Sequence, residues 1–234
     1  TSGGPLTLNY GHAQLFVLRT RSGKAPEVVF DPPLGRFLTV NNSVRTVGGK
    51  QKSKIEHRLT FATKAGEPHF TLTLSGEVGA AVAVKPRYVP IPDATAFYLA
   101  AMHQFMQRQG IKVGGKIRVG TAPKKATTFY VKESEKTLTD VVRLMNVFSN
   151  NTIADNLHAL LAVRGSSMSS VIPKAAHAGV RLEGGSGLSR EARLTTNALH
   201  AALVAQQHKP NRSPLLASFP LYWKAGTLRG RPKL

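Results

Sequence analysis

The chain has 234 residues, 41% of them hydrophobic, which excludes a disordered chain and supplies one or two domains with a packed core. It has no cysteine, which excludes disulfides, thiolate metal sites and a cysteine nucleophile. Lys plus Arg number 32 against 12 Asp plus Glu, a formal net charge of +20 that is not confined to a tail: residues 1–122 and 123–234 each carry 16 basic and 6 acidic residues.

Residues 1–90 read as β. Gln14 to Arg19 is a short apolar strand between turn residues, and His69 to Leu74 alternates apolar with polar, the period of a half-buried strand. Val78 to Val84 is a further strand candidate and far too short to span a bilayer. Asp31-Pro32-Pro33-Leu34-Gly35 and Val47 to Lys50 punctuate these runs. At Pro92-Asp93 the period changes. Ala94, Phe97, Ala101, Phe105 and Met106 follow at helical spacing as far as Gln109-Gly110, and the acidic start and terminal glycine predict a helix. Ile111 to Val119 returns to a β pattern, and Gly120 to Lys125 reads as a linker.

Beyond the linker the pattern is helical. Leu138 to Phe148 puts Leu138, Val141, Val142, Met145 and Phe148 on one face, and Thr152 to Val163 does the same with Ile153, Leu157, Leu160 and Leu161. Thr195 to His208 repeats the theme with Leu199, Ala202 and Leu203, with Thr195 as its cap. Leu221 to Leu228 reads as a closing strand. The expected domains are 1–122, β-rich with one long helix, and 123–234, helix-rich.

Three stretches carry chemistry when taken together. Ser149-Asn150-Asn151 lies between two expected helices, where Ser and Asn also serve as caps. Gly184-Gly185-Ser186-Gly187-Leu188-Ser189-Arg190 is a glycine-rich turn whose spacing does not fit a phosphate-binding loop. Trp223-Lys224-Ala225-Gly226-Thr227-Leu228 sets a lysine before two small residues, which permit close approach of another chain. In that order they resemble the serine penicillin-binding proteins and β-lactamases, with their S-x-x-K, S-x-N and K-T-G motifs. The finer resemblance is to the D-alanyl-D-alanine carboxypeptidase/endopeptidase family of class C low-molecular-mass penicillin-binding proteins. That family has a D-G-S-G-L-S-R-like segment between its second and third motifs. Asp31-Pro32-Pro33, Asn41 to Thr46 and the helix after Pro92 resemble its inserted domain.

The resemblance implies an α/β (α+β) fold: a transpeptidase/β-lactamase-like domain, incomplete here, carrying an inserted β-rich domain. It implies acyl transfer through a serine ester, with peptidoglycan stem peptides as substrate and β-lactams as inhibitors, in the periplasm or cell envelope, and with neither metal nor organic cofactor. It assigns proton relay to Ser149, substrate-amide binding to Asn151, and positive charge in the cleft to Lys224. Thr227 would meet the substrate's terminal carboxylate and supply an oxyanion-hole N–H, and Gly226 would let the substrate approach.

This sequence departs from the family at three points. Ala225 stands where the family usually has Thr, Gly184 stands where it has Asp, and no serine is followed by lysine three positions later. The stretch alone is therefore expected not to acylate. An alternative is a non-catalytic peptidoglycan or envelope-polymer binder.

The remaining candidates read as structural. The eight histidines are scattered, and His103, His158 and His200 read as packing or surface residues. Asp140 and Asp155 near helix N-termini are explained by capping and dipole effects. Glu183, beside the glycine-rich segment, is a minor catalytic candidate. The basic charge suits an anionic envelope polymer or a membrane surface. Nucleic acid is not expected, since aromatics are only 7% and do not alternate with basic residues.

Overall fold

The computed structural model describes residues 6–18, 20–48, 53–80, 85–121, 123, 125–128, 130–210, 212–222 and 224–230; for Met168 and Ser169 it describes the backbone alone. The chain divides into two compact units, Thr1–Lys124 and Lys125–Leu234.

The first unit holds the strands. β1 (His12–Leu18) pairs antiparallel with β2 (Glu27–Asp31) and with β7 (Arg87–Pro90), giving the order β2-β1-β7. The second sheet is built on the long β6 (Glu67–Gly79). On one side β6 pairs in parallel with β3 (Leu38–Asn42) and then β4 (Arg45–Val47); on the other it forms a hairpin with β5 (Lys54–Lys64). The expected alternation over 69–74 is present: Phe70, Leu72 and Leu74 are fully buried while Thr71 and Thr73 face outward. The Val78 candidate is the end of β6, and residues 81–84 lie outside the described residues, as does Arg19 at the end of the first predicted strand.

The predicted helix is α1 (Ala94–Arg108), capped by the Asp93 carboxylate, which accepts the Ala96 N–H at 2.8 Å. Its buried face is Ala94, Ala96, Phe97, Ala100, Ala101 and His103. Phe97 meets Phe70 edge-on at 5.6 Å, and His103 stacks edge-on against Phe37 at 5.1 Å, which accounts for that histidine as a packing residue. Phe105, placed on the apolar face by spacing alone, is exposed, the buried face of α1 ending at His103.

Residues 111–119 form no strand. Gly114-Gly115 interrupts the apolar run, and side chains take the bonds that a neighbouring strand would have supplied. Ile117 N–H donates to the Glu67 carboxylate at 3.1 Å, and Lys116 Nζ donates to the Ala65 carbonyl at 3.0 Å. Glu67, which also binds Arg36 through both oxygens, is pulled toward a higher pKa by burial, yet the Ile117 N–H and Arg36 outweigh that and hold it below the ordinary value.

The second unit is helical. α2 (Leu138–Phe148) and α3 (Asn151–Val163) meet at a sharp junction, followed by α4 (Thr196–Gln206) and α5 (Arg212–Ser218). Thr195 caps α4 as expected, accepting the Ala198 N–H at 3.1 Å. α5 packs against α2. The buried Ser218 hydroxyl accepts from Asn146 Nδ2 at 2.7 Å and donates to the Leu215 carbonyl at 2.6 Å. Among the described residues of this unit the buried apolar ones are only Ile172, Ala176 and Ala198. Leu138, Phe148, Leu160, Leu199 and Leu203, read from spacing as inward-facing, are exposed within this chain. The predicted closing strand 221–228 is likewise not formed. Among the described residues no strand pairs with it, and an unpaired strand has no ladder to hold it extended. Gly226–Leu228 is instead a short 3-10 turn.

Candidate active site

The site assembles at the α2–α3 junction. α2 begins with a capping box. The Thr137 hydroxyl accepts the Asp140 N–H at 3.2 Å, and the Asp140 carboxylate accepts the Thr137 N–H at 2.9 Å and its hydroxyl at 2.6 Å. Those bonds from Thr137 hold the Asp140 carboxyl below its ordinary range. Asp140 is therefore a cap, as read from the sequence.

At the other end of α2, Ser149 adopts a left-handed conformation with φ 52° and ψ 48°. Asn150 then caps α3, its side chain accepting the Ile153 N–H at 3.0 Å. Asn151 is the first residue of α3. The capping work of the S-N-N triplet thus falls to the middle residue. Ser149 stays exposed and Asn151 half-buried. Left-handed backbone is uncommon for a residue with a Cβ and is enriched at functional positions.

The 224–227 segment reaches this junction. Gly226, at φ +59°, lies so close to α2 that a Cβ there would overlap the Val147 carbonyl, two residues before Ser149. Ala225 and Phe148 share an open cleft of about 480 Å³ with Leu144 and Val147 and with charges of both signs, Glu135, Lys136, Asp140 and Arg143. Lys224 and Thr227 are exposed, and no carboxylate among the described residues pairs with Lys224. Trp223 lies outside the described residues. The structure thus brings Ala225 and Gly226 of the predicted third motif against the last turn of α2, which leads into the predicted second motif.

The glycine-rich segment joins the same unit from a different direction. The backbones of Arg181 and Arg193 exchange two hydrogen bonds, at 2.9 and 2.7 Å, and close a loop. Within it Glu183 accepts from Arg181 Nε at 2.8 Å and from the Ser189 hydroxyl at 3.1 Å. These two bonds, Arg181 first, hold its carboxyl below the ordinary value against the opposing effect of burial. Glu183 acts as a loop staple. At the tip, Asp155 Oδ1 accepts the Gly185 N–H at 3.0 Å and the Ser186 N–H at 2.9 Å. Asp155 was read from the sequence as explained by capping and dipole effects, yet it is the fifth residue of α3 and its hydrogen bonds are tertiary. Its sequence signal was its place in the 149–157 stretch, which resembles the family's helix after the second motif, four residues beyond Asn151.

A family model for D-Ala-D-Ala carboxypeptidase 3 (S13) matches residues 4–234. The chain belongs to that family. Among solved structures this S13 chain is similar to penicillin binding protein 4 (dacB) from Haemophilus influenzae complexed with a novel β-lactam, at 18% identity and TM-score 0.65, covering 97% of this chain and 53% of that one. A second structure of penicillin binding protein 4 from the same organism matches at 18% identity and TM-score 0.63, covering 97% and 51%. The S13 chain therefore spans about half the length of the solved structures it matches, and shares their mixed helix-and-sheet fold. No curated protein matches it.

Proposed function

We propose that the chain contributes the second- and third-motif half of a serine-type D-Ala-D-Ala carboxypeptidase and endopeptidase site acting on peptidoglycan stem peptides. The observation that supports this reading is the seating of Gly226 on the Val147 carbonyl, which brings the backbone of the third motif to the helix end that precedes Ser149. In the reaction a serine Oγ forms an ester bond to the penultimate D-Ala carbonyl carbon. The C–N bond to the terminal residue breaks, and that residue leaves as an amine after gaining a proton. Water then cleaves the ester. Ser149 relays the proton to the leaving nitrogen, and Asn151 holds the substrate amide in line. The Lys224 ammonium and the Thr227 hydroxyl take the terminal carboxylate, and the Thr227 N–H is one oxyanion donor.

Residues 1–234 contain no serine followed by lysine three positions on, so the nucleophile and its base are supplied from outside them. The setting we assign is the periplasm or cell envelope. There the charge of +20 favours approach to anionic polymer, and β-lactams act as inhibitors. Fluorescent penicillin applied to the full-length gene product, followed by mapping of the modified peptide, tests this reading. We expect the label on a serine outside residues 1–234 and none on the 234-residue chain alone. A labelled serine within 1–234 overturns the assignment.

A second reading rests on Ala225, which lacks the hydroxyl usual in the third motif: a non-catalytic binder of peptidoglycan or another envelope polymer. Stem-peptide binding by a full-length product that no penicillin labels would favour it.

A further inference from the structure

We infer that Asp155 is a positioning residue: its carboxylate holds the Gly184–Gly187 turn against α3, as the wall of the substrate cleft on the Asn151 side. The inference rests on the proposed peptide-binding role of Asn151 and Lys224 and adds to it a residue and a surface that the three motifs do not include.

The helix supplies the alignment. Asn151, Asp155 and His158 stand at i, i+4 and i+7, one stripe of α3, with Cβ atoms about 5–6 Å apart at four-residue spacing. Helical side chains lean toward the N-terminus, so Asp155 leans toward Asn151. The turn lies on that same stripe. A Cβ on Gly185 would overlap the Ala154 carbonyl and come within 3.0 Å of His158 Cβ. Only a residue without a side chain fits there.

The loop supplies the need for an anchor. Its base is closed by the Arg181–Arg193 backbone pair, and its middle is stapled to itself through Glu183. Among the described residues, the hydrogen bonds that tie its tip to α3 both end on Asp155 Oδ1. Bonds from N–H groups to an ionised carboxylate are roughly twice as strong as neutral ones. The tip itself carries one side chain, Ser186, between glycines, and with the Gly185 and Ser186 N–H groups bound to Asp155 it is left with carbonyl oxygens and a hydroxyl. That surface suits the uncharged backbone of a peptide and neither an anion nor an aromatic ring.

The test is the affinity of the 234-residue chain for diacetyl-L-Lys-D-Ala-D-Ala by titration calorimetry, with helix content followed by circular dichroism. Asp155→Ala should weaken binding at least tenfold. Asp155→Asn, whose amide oxygen still accepts both N–H groups, should stay within threefold of the unaltered chain. Gly185→Ala displaces the turn without touching Asp155 and should reproduce the Asp155→Ala loss. Asn151→Ala and Lys224→Ala report on the underlying cleft. If they weaken binding while Asp155→Ala and Gly185→Ala bind like the unaltered chain, the Asp155 inference falls and the cleft stands. If all four bind alike, or the unaltered chain does not bind, both fall. Loss of helix signal in both Asp155→Ala and Gly185→Ala makes the contact one of folding and also overturns the inference.

Discussion

Gly226 rests against the backbone carbonyl of Val147, although 79 positions of sequence separate them (226 less 147), with no room between them for a side chain. This contact seats the 225–228 segment against the last turn of α2. Gly226→Ala must both hold an alanine at φ +59° and open the contact. Left-handed backbone costs an alanine roughly 1–2 kcal/mol, and the overlap adds to it. Urea denaturation should show a loss of at least that size, and stem-peptide binding should be lost with it.

Ser149 predicts a conflict between stability and function. Its left-handed backbone, φ 52°, is one that glycine adopts without strain at the end of a helix. Ser149→Gly should raise the unfolding free energy by about 1 kcal/mol in urea. In a full-length product labelled by penicillin, the same change should slow acylation, because the hydroxyl proposed to relay the proton is gone.

Two adjacent asparagines should separate cleanly. Asn150 caps α3 through the Ile153 N–H, so Asn150→Ala should cost about 1 kcal/mol. Asn151 makes no such capping bond. Asn151→Ala should leave the unfolding midpoint nearly unchanged and weaken stem-peptide binding instead. Chemical denaturation and calorimetry on the two variants give the comparison.

The Glu183 staple makes the 181–193 loop sensitive to acid. Its folded carboxyl lies below the ordinary value of 4.5, through Arg181 and then Ser189. The stabilisation is fully present above that ordinary value and is lost as the pH falls through the lower folded one. Amide exchange in the loop, corrected for its intrinsic pH dependence, should accelerate across that acid window. In Glu183→Gln the window should disappear.

Local physics was legible in the sequence; tertiary pairing was not. The limits of α2, Leu138–Phe148, followed from apolar spacing alone, Thr195 declared itself as a cap by type and position, and Pro92-Asp93 marked the start of a helix. α5 was missed, because its seven residues span two turns, include Pro214, and show no period long enough to read. Residues 111–119 and 221–228 have strand-like composition but no partner strand, and a strand exists only as half of a pair. Ser149, Asn151 and Lys224 were legible only as motifs in order, since no local signal reports that position 226 lies on position 147. Asp155 was hidden for the same reason: its partners Gly185 and Ser186 lie 30 and 31 positions downstream.

Backbone amide shifts of the isotopically labelled chain, followed while diacetyl-L-Lys-D-Ala-D-Ala is added, address the shared cleft most directly. The account predicts that the amides of 149–152 and of 225–227 move together with one saturation midpoint, and that Lys224→Ala removes both sets of shifts. Movement confined to one of the two segments, or no saturable shift in either, would contradict it.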